Sequence, residues 1–147
     1  MAGKREIALL TGWLLVATSA SAQQPAPSGN DKGGDKLNVA LNALAPSAKG
    51  CMMTFVAEND LATPISKIAF ELAFFNDKNA VDRITVLDFR DLPVGKKRVR
   101  QFDMPNVKCE GISRVIINDT TVCDGPAAGE CKAGLATRSE TSVPFEG

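Results

Sequence analysis

The chain has no histidine and no tyrosine, and its single tryptophan, Trp13, sits in an N-terminal apolar stretch. Without histidine it lacks the commonest general base and the commonest metal ligand. Without tyrosine, and with tryptophan confined to that stretch, it lacks the usual stacking platforms for bases. Neither sign of charge dominates: 17 Lys+Arg stand against 17 Asp+Glu, so there is no basic field to gather nucleic acid. No C-x-x-C pair occurs, and no histidine can complete a mixed cysteine–histidine site, so neither a zinc centre nor a redox centre is expected. No apolar run approaches the roughly 20 residues of a membrane-spanning helix. The longest, Ile7 to Ala17, is interrupted by Thr11 and Gly12.

What is present begins with an export signal. Lys4 and Arg5 precede the apolar run, and Ala20-Ser21-Ala22 closes it with small residues, so cleavage is expected before Gln23. Losing residues 1–22 would leave 15 Lys+Arg and 16 Asp+Glu, a net charge of −1. Lys4-Arg5 is not a twin arginine, and no cysteine opens the mature chain, so neither folded-state export nor a lipid anchor is called for. Residues 23–36 are mostly Gln, Pro, Gly, Ser, Asn, Asp and Lys with almost nothing to bury, which predicts a disordered linker. The remainder of a 147-residue chain is enough for one domain, residues 37–147.

That remainder reads as strands and turns. Leu37, Val39 and Leu41 alternate with polar or small residues; Cys51, Met53, Phe55 and Ala57 do the same; Ile68, Phe70, Leu72 and Phe74 give the clearest period of two. Leu37, Leu41 and Leu44 also fit helical spacing, but Asn38 and Asn42 weaken a helix there. Asn76-Asp77-Lys78-Asn79 and Leu92-Pro93-Val94-Gly95 are turn chemistry. Between them lies a fourth strand, Val81 to Phe89. Its apolar phase changes between Val86 and Leu87, which predicts a bulge or a strand that changes sheets. A fifth strand, Arg98 to Met104, is expected to turn Phe102 and Met104 inward and Arg98 and Arg100 outward. A sixth covers Ile112 to Asn118 and a weaker seventh covers Ala136 to Phe145. About seven short strands with regular turn signals predict an all-β, immunoglobulin-like antiparallel sandwich. The phenylalanines read as core, with Phe75 the exception beside a turn.

Four cysteines, Cys51, Cys109, Cys123 and Cys131, in an exported chain predict two disulfides. Three pairings are available, and Cys51–Cys109 with Cys123–Cys131 is favoured. The first would tie the second strand to the segment leading into the sixth; the second would close a small loop rich in Gly and Pro.

Candidate chemistry is sparse. Lys96, Lys97, Arg98 and Arg100 form the one basic cluster, readable as an interaction patch or as lysines guarding an edge strand. Asp77, Asn79, Asp82 and Asp88 miss the spacing of a calcium loop, because Val81 and Asp82 occupy positions that need a ligand and a glycine. Ser47/Lys49 and Ser66/Lys67 are the only formal nucleophile–base pairs, and neighbours that close in a strand seldom face each other. No catalytic residue, cofactor or metal is therefore expected.

Two resemblances add to this reading. Phe70-Glu71-Leu72-Ala73-Phe74-Phe75-Asn76-Asp77, with Leu92-Pro93-Val94-Gly95 and Phe102, resembles the FxLYD-type domain, a small secreted immunoglobulin-like sandwich. Over Leu37 to about Val143, the segments Cys51-Met52-Met53-Thr54-Phe55-Val56-Ala57-Glu58-Asn59, Leu87-Asp88-Phe89-Arg90-Asp91-Leu92-Pro93 and Arg98 to Pro105, with the four cysteines, resemble an uncharacterised family of exported alphaproteobacterial proteins. That family is often labelled "Tat pathway signal sequence domain", a motif from which Lys4-Arg5 departs. The resemblance implies an envelope location and a disulfide-bonded β domain, and brings no activity with it. The expectation is an exported periplasmic or secreted protein, not an enzyme, that docks on another envelope protein by strand addition at an open edge or through the basic strand. A binder of a small ligand or anionic envelope component is the alternative.

Overall fold

The computed structural model describes Gly3 and residues 35–147. The expected export signal and residues 23–34 of the expected linker lie outside the described residues. Eight strands follow in order: β1 (Leu37–Pro46), β2 (Gly50–Asn59), β3 (Ile65–Phe75), β4 (Val81–Leu92), β5 (Lys97–Pro105), β6 (Arg114–Asp124), β7 (Leu135–Ser139) and β8 (Phe145–Glu146). One helical turn, α1 (Glu130–Ala133), sits between β6 and β7. The strands form two sheets, ordered β5-β2-β1-β7 and β4-β3-β6-β8. β2 therefore neighbours β5, and β3 neighbours β6, the Greek-key crossings of an immunoglobulin-like sandwich.

The long ladders are antiparallel: β1–β2, β2–β5, β3–β4 and β3–β6. The stretch expected as one seventh strand is two short ones. β7 runs parallel to β1, then the chain crosses over and β8 runs parallel to β6. Ser139 supports the crossing, since its hydroxyl donates to the Val143 carbonyl at 2.6 Å. The C-terminal segment thus supplies one edge strand to each sheet.

Alternating side chains fill the space between the sheets. Leu37, Val39 and Leu41 from β1 meet Met53, Phe55 and Ala57 from β2; Ile68, Phe70, Leu72 and Phe74 from β3 face them. Phe55, Phe89, Phe102 and Phe145 gather around the centre, with Phe55 5.4 Å from Phe89 and Phe70 5.1 Å from Phe89, both edge-on. The helical spacing of Leu37, Leu41 and Leu44 has a β explanation. The ladder slips between Leu41 and Ala43, a bulge at Asn42 that resets the phase and turns Leu44 back toward the core.

The disulfides join Cys51 to Cys109 and Cys123 to Cys131, with Cα–Cα distances of 5.1 and 6.4 Å. By loop closure alone, bridging 58 and 8 residues stabilises by about 4 and 2.5 kcal/mol. Beside the longer bridge, Gly50 is held against the Met104 carbonyl and the backbone of Asn106 and Val107, leaving no room for a Cβ. At the opposite end the buried Asn59 joins three segments. Its amide donates to the carbonyls of Thr63 (3.0 Å) and Leu92 (2.9 Å), and its side-chain oxygen accepts from the Leu61 N–H at 3.0 Å.

Candidate functional site

The short strands β7 and β8 form the edges on one side of the sandwich, and the longer β4 and β5 form those on the other. β4 pairs with β3 and no other strand, and β5 pairs with β2 alone. Both differ from the sequence reading, for physical reasons that define the site.

In β4 there is no bulge between Val86 and Leu87. The register Glu71↔Val86, Phe70↔Leu87 is continuous. Leu87 and Phe89 point into the core while Val81, Ile84 and Val86 point outward, 51, 55 and 52% exposed. The apolar pattern changes phase because the strand carries apolar residues on both faces. The ladder slips elsewhere, at Asp82 and again around Arg90, whose φ of 62° is unusual for a side chain of this size. The Asp88 carboxylate accepts the Arg90 N–H at 2.8 Å and supports that bend.

In β5 the expected outward position of Arg98 and Arg100 is wrong. Residues of equal parity share a face. Arg98 and Arg100 lie opposite Ala57 and Phe55, as Phe102 and Met104 lie opposite Met53 and Cys51. All four start on the inner face, and the two arginines reach across the rim of the sandwich to β4. Arg100 donates from Nε to the Phe89 carbonyl (2.6 Å) and from Nη2 to the Asp91 carbonyl (3.0 Å) and carboxylate (3.3 Å). Arg98 meets the same carboxylate at 3.4 Å. The basic cluster is therefore divided. Arg98 and Arg100 are engaged with β4, Lys97 lies 3.6 Å from Glu58, and Lys96 is exposed. Val99, 59% exposed, faces solvent between them.

Arg100 also divides the β4 edge. Carbonyls at Phe89 and Asp91 are occupied; from Val81 to Asp88, no strand takes up the edge-facing backbone groups. An unpaired edge of this kind is a template for another strand. The outer surface of the same sheet continues the apolar character inward. Ile84 lies beside Ala73, which lies beside the half-buried Ile116; Val81 lies beside Phe75, over whose ring the Arg114 guanidinium stacks at 4.3 Å. Phe75 is thus half-buried and partnered rather than core.

Elsewhere the candidates resolve into local structure. Asn76 accepts the N–H groups of Lys78 and Ala80, both at 3.0 Å, and Asn79 takes a φ of 58°, so the acidic segment around Asp77 is a turn. Ser47 donates to Asp103 at 2.6 Å, and Ser66 donates to the Asp124 carbonyl at 3.2 Å. Among the described residues, no three carboxylate or thiol groups converge on a metal-sized space. Two open depressions flank residues 106–108. One of 250 Å³ is lined by Phe75, Asp77, Asp82 and Lys108; one of 450 Å³ is lined by Pro46, Lys49, Lys108 and Glu110. No protein-family model, no curated protein and no solved structure matches this chain.

Proposed function

We propose that this chain is an exported, non-catalytic domain of the cell envelope, periplasmic or secreted, that docks on another protein by accepting a strand at β4. The observation that carries the reading is the coincidence of an unpaired edge from Val81 to Asp88 with three solvent-facing apolar side chains on that same strand. Soluble proteins commonly blunt such edges with lysine, proline or bulges. β4 has no lysine or proline between Val81 and Asp88 and slips register only at Asp82, near its start, so Ile84 to Asp88 stay unblunted until Arg90 and Arg100. Main-chain bonds along the edge would supply affinity, and the outward side chains would supply selectivity. Export is supported by the two disulfides, which fit an extracellular or periplasmic setting. Among the described residues no helix is long and apolar enough to cross a membrane.

The test is photo-crosslinking of the full chain in its native envelope, with the reactive residue at position 84, at 97 on β5, or at 138 on the opposite edge. A defined protein adduct from position 84 is expected. An adduct from position 97 alone, or none from 84, contradicts the reading. A second reading, a binder of a small anionic ligand, has one observation in its favour: the ammonium-bearing residues Lys49 and Lys108 line the larger depression.

A further inference from the structure

We infer that the segment accepted by β4 is about seven residues long, at ~3.3 Å per residue, and alternates apolar with basic side chains on its solvent side. This rests on β4 as the docking edge and specifies what the edge selects.

Four carboxylates surround the apolar stripe. On the outer face of the sheet, Glu71 lies opposite Val86 and Asp88 follows it along β4; Asp82 and Glu146 lie at the margins. None of these four carboxylates has an ion-pair partner among the described residues, whereas Glu58, Asp91, Asp119 and Glu140 all do. Of the cations on and beside β4, Arg83 donates across the rim to the Pro105 carbonyl at 3.1 Å, and the exposed Arg90 lies beyond Asp88. Arg114 stacks on Phe75 and donates to Asn79 at 3.0 Å, and Lys132 pairs with Asp119 at 3.3 Å. A strand laid beside Val81–Asp88 therefore places alternate side chains next to apolar groups flanked by unneutralised negative charge. Basic residues at its solvent-side ends would be attracted and acidic ones repelled.

The other face of the added strand meets the opposite condition. There it borders the rim where Arg83 reaches from β4 to the Pro105 carbonyl (3.1 Å) and, at the far end of the segment, where Arg98 and Arg100 reach across from β5. Basic side chains on that phase would be repelled, so the two faces of the incoming strand are discriminated and its register is set to one parity. Arg100 also sets the length. Its guanidinium occupies the Phe89 and Asp91 carbonyls, so pairing that starts at Val81 ends at Asp88.

The capped heptapeptide KTVTVTK presents Lys, Val, Val and Lys on one face and threonine on the other; ETVTVTE is its acidic counterpart. Both are titrated into the isotope-labelled full chain, following backbone amide resonances. KTVTVTK is expected to shift residues 81–88 and to bind at least about fivefold tighter than ETVTVTE at low ionic strength, an advantage that fades by about 0.5 M salt. In the Glu71→Lys, Asp88→Lys double variant the preference should reverse. Equal binding of both peptides at β4, or a preference for the acidic one, overturns the charge selection while leaving β4 as the docking edge. Failure of both peptides to shift residues 81–88 overturns the selection as stated, and the crosslink from position 84 then decides separately whether the docking edge itself survives.

Discussion

Replacing Arg100 by methionine separates a structural cation from its exposed neighbours. The methionine keeps most of the aliphatic stem and removes only the guanidinium. That group makes a charged hydrogen bond to the part-buried Phe89 carbonyl, a second bond to the Asp91 carbonyl, and an ion pair with the half-exposed Asp91 carboxylate. Hydrogen bonds to charged groups contribute about 1.5–3 kcal/mol, and a surface pair contributes at most ~1 kcal/mol. These contributions overlap, so Arg100→Met should cost about 2–3 kcal/mol, or a fall in Tm of about 8–12 °C for a domain of this size. Lys96→Met and Lys97→Met, by contrast, should stay within about 0.5 kcal/mol. Urea denaturation of the oxidised protein measures the difference, with an unchanged m-value showing that the native surface is the same. The variant should also self-associate more readily, because two freed carbonyls lengthen the open edge of β4. An Arg100→Met protein as stable as its parent, or one no worse than Lys97→Met, would refute the assignment of Arg100 as the clasp between the sheets.

Three further outcomes follow from the same structure. Replacing Cys51 and Cys109 together by alanine should cost about 4 kcal/mol by loop closure, leaving a domain of ordinary stability close to unfolding, as thermal melts would record. Asn59→Ala strands the Leu92 and Thr63 carbonyls and the Leu61 N–H in a buried site; a loss of about 3 kcal/mol is expected, and a loss under about 1 kcal/mol would mean that water replaces the amide. Ile84→Lys and Val86→Lys should change stability by less than about 1 kcal/mol, since both side chains already face solvent, yet abolish the crosslink formed from a reactive group placed at position 81.

The core was legible because inward residues repeat every second position from Leu37 to Leu41, from Cys51 to Ala57 and from Ile68 to Phe74, and the disulfide pairing was legible because each pair joins segments that the strand order brings together. The edge was not. A strand with apolar residues on both faces, as in β4, mimics a change of register, and only the neighbouring strand reveals that Ile84 and Val86 have nothing above them. In β5 the signal was present, since Arg98, Arg100, Phe102 and Met104 share one parity, but charge suggested an outward face where the rim of the sandwich lets long side chains start inward and reach out. The division of the seventh strand depends on Ser139 and Thr141 bending the chain, a local hydrogen-bond pattern with no periodicity to read.

The central claim is that β4 between Val81 and Asp88 is the docking surface. Amide hydrogen exchange of the full chain, free and in the complex isolated from its envelope, tests it most directly. New protection confined to residues 81–88 is the predicted result. Protection at residues 96–101 or 105–110 instead, with β4 exchanging as in the free chain, would contradict it.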